Sequence, residues 1–165
     1  MRIVGIDPGY AITGVGVIDY IGNHFQLLEC QAITTDVNEP MERRLLCIAQ
    51  KLEMLVETYK PDVFAVEELF FNTNTKTAIA VGQGRGVVLL TAARYGIPVA
   101  EYTPLQVKQA VTGYGRADKA QMQQMVKVIL QLSKVPKPDD IADALAVSIC
   151  HAHSANLGSL AYLKG

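Results

Sequence analysis

The chain has 165 residues, of which 50% are apolar and 19% charged, so it can bury a core and is not intrinsically disordered. This length favours one domain. Residues 144–163 carry no formal charge, but their histidines, serines, asparagine and glycine make them too polar for a membrane span. Met1 leads straight into a strand-like run rather than a secretory signal, and we expect a soluble, cytoplasmic protein.

The formal net charge of −1 conceals an uneven distribution. Residues 1–69 hold five Lys/Arg and eleven Asp/Glu, residues 70–138 hold nine and two, and residues 139–165 hold one and three. Ordinary scatter of surface charge is one interpretation of the basic middle block, and an anion-binding surface beside an acidic site is the other. The three cysteines are widely spaced and lack a C-x-x-C pair, which argues against a disulfide framework or a zinc site.

The first part of the chain predicts three strands and a helix. The strands are expected at residues 2–7, 13–20 and 24–34, and the turn residues Gly22 and Asn23 indicate an antiparallel hairpin between the last two. Apolar residues at helical spacing then predict a helix that begins at Pro40 and ends near Tyr59.

The rest of the chain alternates strands with helices. Residues 63–69 are nearly all apolar, as in a central strand that is buried on both faces, and residues 97–102 predict another strand. Helices are expected at residues 78–95, 104–112, 119–132 and 139–153, and a polar loop at 72–77. Because short βαβ connections make strands parallel, we predict an α/β domain at 1–156 with a mixed five-stranded sheet, and a tail at 157–165.

Six acidic residues stand at the ends of core-forming segments. They are Asp7, Glu67, Glu68, Asp139, Asp140 and Asp143. An ionised carboxylate is costly to bury unless a cation or a hydrogen-bond donor meets it. If these segment ends converge, their oxygen ligands suit Mg²⁺ and phosphodiester chemistry.

The pattern alone leaves open which of these acids act together. The two adjacent glutamates face opposite sides of a regular strand, so only one of them can share a site with Asp7. Asp140 and Asp143 share one helix face, whereas Asp139 suits the helix N-terminus. A turn-forming Asp7 and helix-capping aspartates are the competing structural interpretations.

Five residues are candidate DNA contacts. Phe70 and Phe71 follow the acidic strand end, and they belong either to the core or to a platform on which bases stack. Lys108 and Lys119 flank a glycine-containing loop in the basic block, where together they could bind phosphates. Arg85 lies in the same block and is a further candidate.

Several segments together resemble the RuvC family of bacterial Holliday junction resolvases. They are residues 5–9, 13–14, 65–70, 106–109, 119–122 and 143–146. The match stays in register across nearly the whole chain. The resemblance implies a ribonuclease-H-like fold and an endodeoxyribonuclease that resolves four-way DNA junctions by paired, Mg²⁺-dependent nicks with 5′-phosphate and 3′-hydroxyl ends.

The resemblance also implies the roles of individual residues. The family's four catalytic acids, which bind two Mg²⁺ ions that Mn²⁺ could replace, fall at Asp7, Glu67, Asp140 and Asp143. Its junction-contacting aromatic falls at Phe70, with Phe71 beside it, and its two important lysines fall at Lys108 and Lys119. The implied partners are junction DNA, a second copy of the chain, and the RuvA and RuvB branch-migration proteins. A strongly basic C-terminal tail is missing here, which affects only nonspecific DNA affinity.

Three other functions share part of this pattern. An actin-like ATPase or sugar kinase has a similar strand-Asp-Gly start, but its second, duplicated domain does not fit in 165 residues. A ribonuclease-H-like nuclease that acts on RNA would retain the acids. A non-catalytic junction-binding module would use only the basic block and Phe70. Metal-dependent nicking of DNA junctions separates these functions.

Overall fold

The computed structural model describes residues 1–68 and 75–162, and the side chains of residues 1–68 and 77–155. The elements in chain order are β1 (Arg2–Asp7), β2 (Ile12–Ile21), β3 (His24–Thr34), α1 (Met41–Tyr59), β4 (Val63–Glu67), α2 (Thr75–Arg94), β5 (Val99–Tyr102), α3 (Pro104–Thr112), α4 (Lys119–Ile129) and α5 (Asp139–Tyr162). This order confirms the predicted succession of strands and helices. Among the helices described, none combines the length and hydrophobicity that a membrane span needs.

The largest departures from the predicted boundaries concern two helices. Helix α2 begins at Thr75, inside the segment predicted as a polar loop. Helix α5 continues to Tyr162, although its end was predicted near residue 153. The predicted end of this helix near residue 153 is therefore wrong. The division into a domain at 1–156 and a tail at 157–165 stays a prediction.

The five strands form one mixed sheet in the order β3-β2-β1-β4-β5. Strands β1, β2 and β3 pair antiparallel, whereas β4 pairs parallel with both β1 and β5. The hairpin between β2 and β3 turns at Gly22 and Asn23, whose positive φ angles of 55° and 67° suit a tight hairpin turn. The sheet is therefore the predicted one, with three antiparallel strands followed by parallel ones.

Helices cover both faces of the sheet. On one face, Val4, Ile6 and Val66 pack with buried residues of α1 and α2. On the other face, Ile3 and Ala65 pack with buried residues of α3, α4 and α5. Because successive strand residues point to opposite faces, the position of each side chain in β1 and β4 decides which helical layer it meets.

Three glycines let α5 lie directly against the sheet. A Cβ atom on Gly5 would overlap the Ala144 carbonyl oxygen, and one on Gly14 would overlap the Asp140 carbonyl oxygen. A Cβ atom on Gly16 would collide with the side chain of Leu145. Glycine inside a strand often marks such a close approach of another backbone. As a result, the first turn of α5 lies beside the end of β1 and the start of β2.

Candidate active site

The predicted acids come together at one edge of the sheet. Asp7 and Glu67 end the neighbouring parallel strands β1 and β4. Asp7 pairs with Gly14 of β2, and Gly14 contacts the backbone of Asp140 in α5. Asp143 lies one turn further along the same helix. Two strand ends and a helix start, which are far apart in sequence, thus meet around the Asp7 carboxylate.

Of the two adjacent glutamates, Glu67 shares the face of Asp7. Ile6 and Val66 both belong to the core against α1 and α2, so the residue after each points toward the α5 side. Glu67 lines a cleft of about 240 Å³ together with Asp143 and two lysines. The Glu68 backbone N–H continues the strand pairing by donating to the Tyr102 carbonyl oxygen at 2.8 Å.

The acids act on one another electrostatically. Burial raises the pKa of Asp7 to about 7, and the negative charges of Glu67, Asp143 and Asp140 add to this effect. Burial also raises the pKa of Glu67, with the charge of Asp143 as a second cause. For Asp143 burial is again the main cause of a raised pKa. The carboxylates therefore repel one another in a partly buried site, and a bound cation would reduce this repulsion.

Two lysines face these acids. Lys108 and Lys119 both line the cleft. Lys119 Nζ lies 3.2 Å from Asp139 Oδ2 and 3.5 Å from Asp143 Oδ2. Desolvation lowers the pKa of Lys119, but its hydrogen bond with Asp139 and the charge of Asp143 raise that pKa overall. Both lysines are thus charged groups at the position where a phosphate would meet the acids.

Asp139 has a contact that the sequence did not indicate. It lies in the first turn of α5, as expected, but its carboxylate also accepts from Lys137 Nζ at 2.7 Å and pairs with Lys119. The hydrogen bond from Lys137, followed by that from Lys119, lowers the pKa of Asp139 to about 2. Asp139 therefore helps to hold Lys119 beside Asp143. The nearby Lys137 was the only sequence signal for this pairing.

Arg85 lies beside the strand that carries Glu67. Its Nη1 donates to the Glu67 carbonyl oxygen at 2.9 Å, and its Nη2 donates to Glu101 Oε1 at 2.5 Å. The Arg85 side chain is only 14% exposed. This position links α2 to the ends of β4 and β5. The predicted DNA contact of Arg85 stays a prediction, and Phe70 and Phe71 lie outside the described residues.

The donor set at this edge fits a hard divalent cation. Four carboxylates from β1, β4 and α5 supply oxygen ligands, which Mg²⁺ prefers. In the present side-chain arrangement, no three acidic, histidine or cysteine side chains of the described residues enclose a common metal position. One of the four, Asp143, is paired with Lys119. Metal binding would therefore require this ion pair to loosen and the carboxylates to be deprotonated.

Comparison with known proteins gives a consistent result across sequence and structure. The family described as Crossover junction endodeoxyribonuclease RuvC matches residues 3–151. The protein of that name from Ruminiclostridium cellulolyticum is 59% identical over 160 residues, which cover 97% of this chain and 96% of the relative. The relative from Alkaliphilus oremlandii is 57% identical over 164 residues, which cover 99% and 100%.

Solved structures agree with this match. The Thermus thermophilus RuvC structure has a TM-score of 0.90 at 38% identity, and the match covers 96% of this chain and 97% of that one. The structure of T. thermophilus RuvC in complex with Holliday junction substrate has a TM-score of 0.92 at 38% identity, with 96% of each chain covered.

These matches confirm the predicted ribonuclease-H-like fold and the predicted enzyme class, a nuclease that hydrolyses phosphodiester bonds in DNA. They also show that the chain does not belong to a family of ATPases, of ribonucleases or of non-catalytic binding modules. The chain belongs to the RuvC family of crossover junction endodeoxyribonucleases.

Proposed function

We propose that this protein resolves four-way DNA junctions by nicking two strands symmetrically, and that each nick leaves a 5′-phosphate and a 3′-hydroxyl. The observation that carries the proposal is the meeting of Asp7, Glu67 and α5 beside a cleft that Glu67, Asp143 and two lysines line. Acids that can hold a metal ion and cations that can bind phosphate both favour hydrolysis of a charged phosphodiester. Family membership supports the four-way junction as the substrate.

Each of the acids and lysines at the proposed active site has a proposed task. Asp7, Glu67, Asp140 and Asp143 would hold two Mg²⁺ ions, which would supply a nucleophilic water at neutral pH and stabilise the charge on the phosphate. Lys108 would bind the phosphate from the α3 side of the cleft. Lys119 would exchange its contact with Asp143 for the scissile phosphate, so that its positive charge acts on the reacting group.

Mapping the products from a synthetic mobile four-way junction tests this function. We expect cleavage with Mg²⁺ and none with EDTA, at symmetric positions in two opposite strands. DNA ligase should seal the nicked products, because it requires a 5′-phosphate beside a 3′-hydroxyl. Equal cleavage of linear duplex DNA or RNA would contradict the junction assignment.

The adjacent glutamates provide a matched pair of variants. Glu67→Gln removes a carboxylate that lines the cleft, whereas Glu68→Gln changes the neighbouring carboxylate on the other face of the strand. We expect the first variant to lose cleavage but bind junctions normally, and the second to cut like the wild type. If Asp7→Asn, Asp140→Asn or Asp143→Asn retained cleavage, the catalytic assignment of that residue would be wrong.

We further propose that the active form is a homodimer, because one cleft cuts one strand and a two-fold pair of clefts cuts two strands symmetrically. The outward face of α2 supports this proposal. Ile79 is 74% exposed and Leu90 is 60% exposed, and the side-chain positions of Gly82 and Gly86 open onto free space. The exposed positions 79, 83, 86 and 90 follow the 4-3-4 spacing by which one helix packs along another.

Cooperation with RuvA and RuvB is a further proposal, supported by family membership. Junction cleavage should be compared with and without RuvA, RuvB and ATP. We expect the branch-migration proteins to change where along a long mobile junction the nicks fall. Identical cleavage positions and rates in both reactions would contradict functional coupling.

A further inference from the structure

Beyond the cleft, residues 104–129, named here the α3–α4 lobe, carry excess positive charge. Their cations are Lys108, Arg116, Lys119 and Lys127, and their one acid is Asp118. The Asp118 carboxylate accepts a hydrogen bond from the Gln121 N–H at 2.8 Å as the N-cap of α4. With four cations against one acid, the lobe has a formal charge of +3 and presents a surface that attracts a polyanion.

The connection between the two helices of the lobe has a fixed backbone. This connection is the 113–116 loop. It begins at Gly113, which ends α3 in a left-handed conformation with a φ of 73°. The Tyr114 N–H donates to Thr112 Oγ1 at 3.1 Å, and the Tyr114 carbonyl oxygen accepts from the Ala117 N–H at 3.2 Å. The Tyr114 side chain itself leaves this turn, and the residue is 57% exposed. The loop thus holds an aromatic ring in solvent on an ordered support.

The same loop packs against the start of α3, near a residue that lines the cleft. A Cβ atom on Gly115 would lie 2.6 Å from Leu105 Cδ1, so the loop packs against the start of α3. Leu105 is 58% exposed, and it follows Pro104, which lines the cleft with Lys108. An exposed tyrosine and an exposed leucine therefore belong to the part of the lobe that adjoins the cleft residue Pro104. Exposed Arg116 completes this surface, and no ion pair of the described residues involves it.

We propose that Tyr114, Leu105 and Arg116 form a second DNA contact outside the metal cleft. In this contact an unpaired nucleotide at the centre of the junction stacks on the Tyr114 ring and packs against Leu105, while Arg116 binds the adjacent phosphate. An aromatic ring for the base and a guanidinium for the phosphate are a recurring combination in the binding of single-stranded nucleic acid. The inference rests on the proposed function, because it extends the path of the same DNA across the protein.

Binding measurements without divalent metal test the contact separately from cleavage. Affinity for a fluorescent four-way junction should be roughly 5- to 100-fold weaker for Tyr114→Ala, the range expected for loss of one stacked base. Tyr114→Phe keeps the ring and should bind like the wild type. Tyr95→Ala removes a 39% exposed tyrosine at the end of α2 and should have no effect on affinity.

The salt dependence of binding distinguishes the two side chains of the contact. Arg116→Gln should reduce the slope of log affinity against log salt by about 0.9, as expected for one lost phosphate contact, whereas Tyr114→Ala should leave that slope unchanged. A junction with 2-aminopurine at its centre reports stacking directly. We expect stronger quenching with the wild type and with Tyr114→Phe than with Tyr114→Ala.

The outcomes separate this inference from the function on which it rests. If the wild type cuts junctions but Tyr114→Ala matches it in affinity and in 2-aminopurine quenching, the second contact is refuted and the proposed function stands. If the wild type neither binds nor cuts junctions, both are refuted. Because Tyr114 is exposed, Tyr114→Ala should also melt at the wild-type temperature. If Tyr114→Ala bound junctions more weakly only because it was less folded, the Tyr114 side chain would have a structural role and the inference would be overturned.

Discussion

At the scale of single residues, the carboxylate of Asp7 is kept in surroundings that oppose its charge. Burial and three neighbouring acids raise its pKa from 3.8 to about 7. The metal-free protein therefore holds a proton on Asp7 that the unfolded chain has already released near neutral pH. The crowded acids therefore lower the stability of the folded protein as long as no cation is bound between them.

The first prediction concerns the stability of the metal-free protein. Well below pH 3.8 Asp7 is protonated in both states and contributes no difference, and the folded state loses stability progressively as pH rises from about 4 through about 7, because the unfolded chain releases the proton first. In EDTA at pH 8, Asp7→Asn should therefore raise the free energy of unfolding by at most about 4 kcal/mol. The gain should disappear near pH 4. Denaturant unfolding at both pH values measures it, with Glu68→Gln as the control, and a gain that does not depend on pH would contradict this explanation.

The second prediction concerns Arg85, which hydrogen-bonds the carbonyl oxygen of Glu67. Arg85→Ala should lower the free energy of unfolding by about 1–3 kcal/mol, because a part-buried carbonyl oxygen loses its charged donor. It should also slow junction cleavage, since the backbone that carries the Glu67 carboxylate loses a support. Thermal unfolding and nicking rates measure these effects.

Junction affinity without metal distinguishes this positioning role from the predicted DNA contact of Arg85. A positioning role leaves affinity and its salt dependence unchanged, and Glu101→Gln, which weakens the other contact of the guanidinium, should slow cleavage in the same direction. Weaker binding with a salt slope reduced by about 0.9 would instead support the DNA contact.

At the scale of elements, the position of α5 depends on the glycines beneath it. Gly14→Ala places a methyl group against the Asp140 backbone. The first turn of α5, which carries two of the proposed ligands, must then move. We expect this change to cost about 1–3 kcal/mol of stability and to reduce the nicking rate roughly 100-fold, because small displacements of catalytic groups have large kinetic effects.

Two further variants serve as controls for Gly14→Ala. Gly16→Ala meets the flexible side chain of Leu145 rather than backbone, so its effect on the nicking rate should be smaller. Gly82→Ala enters space that is open in the single chain and should leave the stability of the monomer unchanged or raise it by up to about 1 kcal/mol, but because Gly82 lies on the proposed dimer face its nicking rate is compared only after the dimer has been verified by sedimentation velocity. If Gly14→Ala folded and cut junctions at the wild-type rate, the close approach of α5 would not be needed for catalysis.

At the scale of the whole molecule, the proposed homodimer gives the fourth prediction. Ile79→Glu combined with Leu90→Glu puts charges on the exposed face of α2 and should produce a monomer in sedimentation velocity. The monomer should nick one strand of a junction but should not cut two strands as a symmetric pair. Ile21→Glu, at a 64% exposed position in the β2–β3 hairpin, is the matched control and should stay dimeric. A double variant that stayed dimeric would exclude this face as the interface.

Much of the fold follows from patterns within short stretches of the chain. The apolar periodicities identified each strand and helix, and Gly22 and Asn23 marked the turn between β2 and β3. The predicted end of α5 near residue 153 was wrong, because the helix continues to Tyr162. The candidate acids were also recognisable, but alternation alone could not decide between Glu67 and Glu68.

By itself, the sequence determined the order of elements, the family, and the types of residue available for chemistry, because these depend on local periodicity and on motifs that can be compared directly. Only the tertiary structure decided that Asp7 and Glu67 share a face, that Asp139 holds Lys119, and that Arg85 supports the end of β4. The reason is physical: each of these contacts joins residues distant in sequence, and strand pairing and helix packing alone bring them together.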